Sequence, residues 1–365
     1  MNIKSCRRGI ENLVGESMRT PLYNPYLFAK TPKPSAQLLL KLLVPFNWRF
    51  FIALFIFAFS SSPSGAAPLK RVSVAYSSLG TQMTGLWMAK EIGAFERQGI
   101  QADLLFISSG PVVVSALLGG DLHAGVAATN AVIGAVLGGA ALTATVSTAN
   151  RPADMSLWVQ PEIKRPEDLR GKTLGVTRFG GVTDNLTRLM LRKYGLEGAV
   201  QVRQMGGTIE VGAAFQQRVI AGAVTSGLRV DAHVPVRLLM NMGELGIPYS
   251  MNLIVFSRDF YRGNLKTVEG IVRGYIEGVA ALHHQKDRAL RVISKYSRLS
   301  DPKKAEELYL GSIASLERIP RVESEAVLSI LEFMGKKVVL ETFVDNSIVE
   351  ELIREGFTEK LYRKG

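Results

Sequence analysis

Arg165-Pro-Glu-Asp-Leu-Arg-Gly-Lys-Thr-Leu-Gly-Val-Thr-Arg-Phe-Gly-Gly-Val-Thr-Asp184 is the stretch whose reading decides the fold. Pro166 to Gly171 predicts a short helix and tight turn, and Thr173 to Val176 a buried strand. The Thr/Gly/Gly/Thr loop beyond it opens onto a helical run, Asp184 to Tyr194. A loop of this kind presents free backbone N–H groups and hydroxyls at a helix N-terminus, which suits an anion or a polar ligand head. Its candidate contacts are Thr177, Arg178, Gly180, Gly181 and Thr183. Gly180 and Gly181 permit close backbone approach, and Arg178 carries a planar fork that can grip a carboxylate, sulfonate or phosphate.

Working outward, three more loops repeat the design. They supply Ser77, Ser78 and Gln82, then Ser109 and Gly110, then Thr129 and Asn130, with Thr225 at a further strand end. Around them the chain alternates strand and helix. Arg71–Tyr76, Gln101–Ile107, His123–Ala127, Ala141–Ser147, Val200–Gln204 and Ala223–Thr225 read as strands. Met83–Arg97, Gly110–Leu118, Thr129–Leu137 and Glu210–Ile220 read as the intervening helices. Repeated βα units predict an α/β protein with mostly parallel strands, whose ligands sit beyond the carboxyl ends of the strands, where these loops fall. From Asp259 the texture turns helical: Thr267–His284, Ala289–Tyr296, Asp301–Ser315, Val322–Phe333 and Ser347–Arg354.

With 365 residues and 47% hydrophobic content, the chain has room for two α/β lobes with real cores. Residues 1–67 hold eight Lys/Arg against two Glu, which is half of the net +12, so the remainder is only mildly basic. No basic stripe interleaved with aromatics is present, and nucleic acid is not expected as a partner. The single cysteine, Cys6, precedes the folded region, which excludes disulfides and thiolate metal sites there.

Phe50–Phe59 is a ten-residue apolar run behind Arg49, followed by small residues with a cleavage site after Ala66. These are the parts of a secretory signal, and ten residues fall short of the roughly 20 needed to span a bilayer. The expectation is export to the periplasm or another extracytoplasmic space. The 48 residues upstream imply either a later start than Met1 or retention as an anchor, helped by Leu38–Val44. No cysteine follows the apolar run, which disfavours a lipid anchor. Ala124–Asn150 lacks any charge, but its Thr129, Asn130 and glycines parse better as strand, helix and strand than as a membrane span.

Motifs for chemistry fail. Gly171-Lys172-Thr173 resembles the end of a phosphate-binding loop, but Pro166 stands where its first glycine belongs. No serine sits in G-x-S-x-G, and His123, His233, His283 and His284 lack metal spacing. No catalytic residue, metal ligand or cofactor is expected, and four polar loops without a catalytic set predict a binding cleft.

Five stretches, in order, resemble the periplasmic substrate-binding proteins of ABC importers for sulfonates, taurine, nitrate and thiamine-precursor pyrimidines. They are Leu86–Ile100; Ser109-Gly-Pro with Ala116–Leu122; Asp168–Val176; Ile247–Ser257; and Phe343–Ser347 with Gly356-Phe357. The resemblance implies a type II periplasmic-binding-protein fold: two α/β lobes joined by a hinge, with a helical C-terminal tail. It implies an export or anchor region over 1–67, a first lobe over 68–152, a second over 153–257, and a return to the first over 258–365. Family contacts map onto Ser77, Ser78, Ser109, Gly110, Thr129 and the Thr177–Thr183 loop. The segment Val224–Asp231 departs from the family pattern, and Arg178-Phe179 is not a fixed family feature. The implied activity is capture of a small, anionic organic ligand (sulfonate, carboxylate, nitrate or pyrimidine-like) by a monomer that delivers it to a membrane permease. An enzyme on the same fold and a membrane-tethered sensor are the alternatives.

Overall fold

The computed structural model describes residues 68–363. Cys6, the apolar segments and the cleavage site at Ala66 lie outside the described residues. The elements in chain order are β1 (Lys70–Tyr76), α1 (Thr84–Glu91), α2 (Ala94–Arg97), β2 (Ile100–Phe106), α3 (Gly110–Leu118), β3 (Ala124–Ala128), α4 (Thr129–Leu137) and β4 (Leu142–Ser147). Next come β5 (Ser156–Val159), β6 (Thr173–Val176), α5 (Val182–Lys193), β7 (Gln201–Gln204), α6 (Thr208–Gln216), β8 (Gly222–Thr225), β9 (Arg237–Asn241) and β10 (Asn252–Ser257). The tail holds α7 (Arg258–Gly263), α8 (Leu265–His284), α9 (Lys286–Ser297), α10 (Pro302–Ser315), α11 (Ser324–Phe333), α12 (Ser347–Arg354) and α13 (Phe357–Tyr362).

Two five-stranded sheets form, ordered β2-β1-β3-β10-β4 and β7-β6-β8-β5-β9. In each, four strands run one way and one is reversed: β10 pairs antiparallel with β3 and β4, and β5 with β8 and β9. Each reversed strand belongs to a chain segment that has just crossed from the other sheet. The expected return to the first half at residue 258 is therefore corrected, because β10 already lies inside the first sheet. Strands β5, β9 and β10 are absent from the sequence reading. The helix expected over Met83–Arg97 is broken where Gly93 turns left-handed at φ 71°. The charge-free stretch Ala124–Asn150 folds as β3, α4 and β4.

Alternating residues serve opposite faces of the first sheet. Val72, Val74, Ile254 and Phe256 join a core with α8, while Ala75, Leu253 and Val255 join a second core with α3, α4 and α11. That second core continues through Met155 and Met251 to Leu157, Leu174 and Val224 of the second sheet. The outer face of the second sheet has only a small cluster, with Val211, Phe215, Ile220 and Ala223 buried. The tail closes the β4 edge: Ala144 N–H donates to Phe343 O (2.7 Å), and Asp345 N–H donates to Ala144 O (2.9 Å). An exposed edge would otherwise invite foreign strands.

The two crossovers between the sheets lie side by side. Thr148 N–H donates to Asn252 O (2.9 Å), Met251 N–H to Ala149 O (2.8 Å) and Tyr249 N–H to Asn150 O (2.9 Å).

Candidate ligand-binding site

The strands of both sheets end facing one another, and a cavity of about 150 Å³ lies between them. A volume of this order holds a molecule the size of benzene. Of the thirteen expected contacts, Ser77, Ser78, Gln82, Ser109, Gly110, Thr177, Gly181, Thr183 and Thr225 line it. They come from both halves, so the polar loops do converge.

The loop after β2 shows how the backbone is bent to reach the cavity. Ser109 adopts φ 85°, unusual for a side-chain-bearing residue. It is 5% exposed, and its hydroxyl has no protein partner. Its N–H donates to Ser77 O (2.9 Å), tying two loops together. Gly110 begins α3 where a Cβ would come within 2.6 Å of the Ala128 nitrogen, so only glycine lets the helix start this close to β3. In the opposite half, the Thr183 hydroxyl accepts from Thr177 N–H (3.0 Å) and pairs with the Thr177 hydroxyl (3.0 Å), which fixes the loop between β6 and α5.

Four expected contacts do not line the cavity. Thr129 hydrogen-bonds the Ser250 hydroxyl (2.9 Å), which meets Ser147 (3.0 Å), forming a buried hydroxyl chain beside the crossovers. Asn130 donates to Gly180 O (2.9 Å) and Gly181 O (3.3 Å), bridging the two halves. Gly180 is left-handed at φ 71°, and its N–H donates to Asp184 (2.9 Å). Arg178, expected to pair with an anionic ligand, is absent from the cavity lining, and its Nε is buried without a protein partner. Its loop is anchored instead, since the Phe179 N–H donates to Gln204 (2.9 Å).

The charged groups that do line the cavity are Asp154, Arg229, Lys304 and Glu307. Asp154 stands on the first crossover, just before β5. Its carboxylate accepts from the Thr81 hydroxyl and from Gln82 Nε2 (2.9 Å). Gln82 is itself oriented by Thr148, whose hydroxyl donates to Gln82 Oε1 (2.7 Å) and turns the amide nitrogen toward Asp154. Burial pushes the Asp154 carboxyl above the usual carboxylate range, and these neutral donors offset that only in part. Arg229 reaches across from the loop after β8: Nη1 donates to Ser297 O (2.6 Å) and Nη2 to Leu79 O (3.0 Å). Burial, reinforced by the nearby Arg298 cation, lowers its pKa below the usual arginine range. Lys304 donates to Val230 O (2.7 Å), and Ser108 to Gly206 O (3.1 Å). Leu79, Met155, Leu228, Met251, Leu299 and Leu308 give apolar wall.

Sequence reasoning missed Asp154 and Arg229. The signal for Arg229 was available, since it lies in the Val224–Asp231 segment that departs from the family pattern. Asp154 sits in the turn closed by Met155 N–H on Pro152 O (3.0 Å), so in the sequence it reads only as a turn residue.

Comparison with known proteins follows this geometry. A family model described as NMT1/THI5 like matches residues 80–289. A Brucella abortus (strain 2308) protein that is named as a binding protein is 32% identical over 161 residues, covering 43% of this chain and 48% of its own. The chain thus spans about half the length of the curated relatives it matches. Among solved structures, a Bordetella bronchiseptica RB50 protein superposes with a TM-score of 0.68 at 16% identity, over 78% of this chain and 97% of that one. The periplasmic aliphatic sulphonate binding protein SsuA from Escherichia coli gives a TM-score of 0.58 at 18% identity, over 79% and 88%. At these identities the likeness is one of fold.

Proposed function

The chain belongs to the NMT1/THI5-like family, and from that premise we propose that it is the ligand-capturing component of an ABC importer. It closes two α/β halves around a small organic molecule on the outer side of the cytoplasmic membrane and presents the closed form to a permease. The observation that carries this reading is the cavity itself. It lies between strand ends of two sheets, and it is lined by the buried, strained Ser109, whose hydroxyl has no protein partner. A buried hydroxyl without a partner costs free energy, and a ligand acceptor or donor there restores the balance.

Several features support capture over turnover. The lining contains neither histidine nor cysteine. Both basic groups of the cleft and two neutral ones hold the halves together: Arg229, Lys304, Ser108 and Asn130 all bond backbone carbonyls across the gap. The names of similar proteins point the same way, and residues 50–66 suit export. The monomeric state and the first-lobe and second-lobe boundaries are part of the same proposal, with the second lobe ending before Asn252. Of the features behind the expectation of an anionic ligand, the hydroxyl loops line the cavity and Arg178 does not.

Native mass spectrometry of the full chain tests the proposal. A co-purifying small molecule should appear as added mass that denaturation removes. Adding it back at a hundred times its Kd should stabilise the fold by about 2.7 kcal/mol. Steady conversion of that molecule into a product would overturn capture in favour of an enzyme.

A further inference from the structure

Asp154 is the cavity group that capture alone leaves unexplained. It sits at the junction of both halves, held by Thr81 and Gln82 of the first half, and it opens onto the space between them. Every side-chain donor it receives is neutral. Among the described residues it takes part in no ion pair with lysine or arginine. The basic groups on the same cavity are engaged elsewhere. Arg229 is fixed by the carbonyls of Ser297 and Leu79, and Lys304 by that of Val230. A carboxylate partly withdrawn from water gains from a counter-charge or a full set of hydrogen bonds. Two neutral side-chain donors and its own backbone N–H leave lone pairs free to accept more.

We propose that Asp154 is a specificity-determining residue that selects a small organic cation, an amine or amidine on a compact apolar body. The inference rests on the capture reading and names the ligand class for that same cavity. The cationic nitrogen docks on Asp154, with the carboxylate oriented by the Thr148–Gln82 relay. The apolar body lies against Leu79, Met155 and Leu228. The geometry is selective in both directions. It supplies the charge that desolvated Asp154 lacks, and an anion brought to the same place meets a like charge in a poorly solvated setting. Burial raises the Asp154 carboxyl, so docking of a cation is coupled to loss of its proton.

The experiment uses the full chain and three molecules of nearly one shape: benzamidine, benzamide and benzoate. Binding is followed by calorimetry, with wild type and Asp154→Asn. The expected result is that benzamidine binds wild type at least tenfold tighter than benzoate, with benzamide between. In Asp154→Asn, the benzamidine affinity should fall at least tenfold and the preference over benzoate should vanish. The order of affinities in wild type is informative even if the variant fails to fold. Preference for benzoate, or benzamidine binding untouched in Asp154→Asn, overturns the assignment while capture stands. Failure of all three probes to bind also overturns it. Capture is then judged separately: it stands if native mass spectrometry finds a co-purifying molecule and falls if it does not.

Discussion

The two sheets share one wiring and differ in cover. The order β2-β1-β3-β10-β4 matches β7-β6-β8-β5-β9 strand for strand, each with its reversed member next to last. The inner strands β3 and β8 are both fully buried, yet the β4 edge is buried at every residue whereas its counterpart β9 is exposed or half-exposed throughout. The first half wears α8 on one face and α3, α4 and α11 on the other. The second has one well-filled face and one small cluster. Identical topology therefore does not imply identical mechanical roles. The thick half holds its loops in fixed, even strained, shapes, whereas the thin half extends a loop that carries Arg229 across the gap.

Two helix glycines give the hardest test of this contrast. A Cβ at Gly278 of α8 would run into the Gly85 carbonyl and the Ala89 nitrogen of α1, inside the thick core. Gly278→Ala should cost about 3 kcal/mol of stability in chemical denaturation, because two packed helices must part. Its counterpart, Gly212 of α6, sits against the Arg229 carbonyl. Gly212→Ala should displace that loop and weaken ligand binding more than it lowers the melting point. If the two variants behave alike, the division of roles fails.

Arg229→Ala removes two charged hydrogen bonds across the gap, each worth roughly 1.5–3 kcal/mol at most. Ligand affinity should drop about tenfold, and small-angle scattering should show a larger radius of gyration in the presence of ligand. Unchanged scattering and affinity would show that the halves stay together without this residue. A smaller effect is expected at Ser109. Ser109→Gly relieves the positive φ and should raise stability by about 1 kcal/mol while lowering affinity, a split that separates strain kept for function from plain misfit.

The smallest effect is one of pH. Burial raises the Asp154 carboxyl above its unfolded value, so the native state holds this proton more tightly. The resulting stability is present at low pH and is lost as pH rises from the ordinary carboxylate range through the folded value. Ligand-free Asp154→Asn should therefore melt a few degrees above wild type at neutral pH, with the gap closing in acid. A constant gap would assign the effect to packing. Benzamidine affinity in wild type should rise over the same pH interval.

Much of the first sheet was legible in the sequence because its strands are continuous apolar runs set between glycine and hydroxyl loops. Val72–Tyr76 and Ala124–Ala128 show this directly. Ser156–Val159 is only four residues long, and Arg237–Asn241 is half-exposed and follows Pro235, so neither carried enough pattern to be read as a strand. Membership of β10 in the first sheet is a pairing between distant segments, which local periodicity does not encode. The site divided the same way. Serine and threonine at strand ends announced the polar lining. Arg229 and Asp154 take their roles from partners far along the chain, Leu79 and Ser297 for one and Thr81 and Gln82 for the other. Asn130, expected as a ligand contact, instead spans the gap to Gly180 with its amide.

The paired crossovers carry one more consequence. Two ribbons stitched by the bonds of Thr148, Met251 and Tyr249 resist twisting far more than flexing, as a strip of doubled tape does. The two crossovers thus form one two-stranded link, and any change in the angle between the halves has to bend both ribbons together.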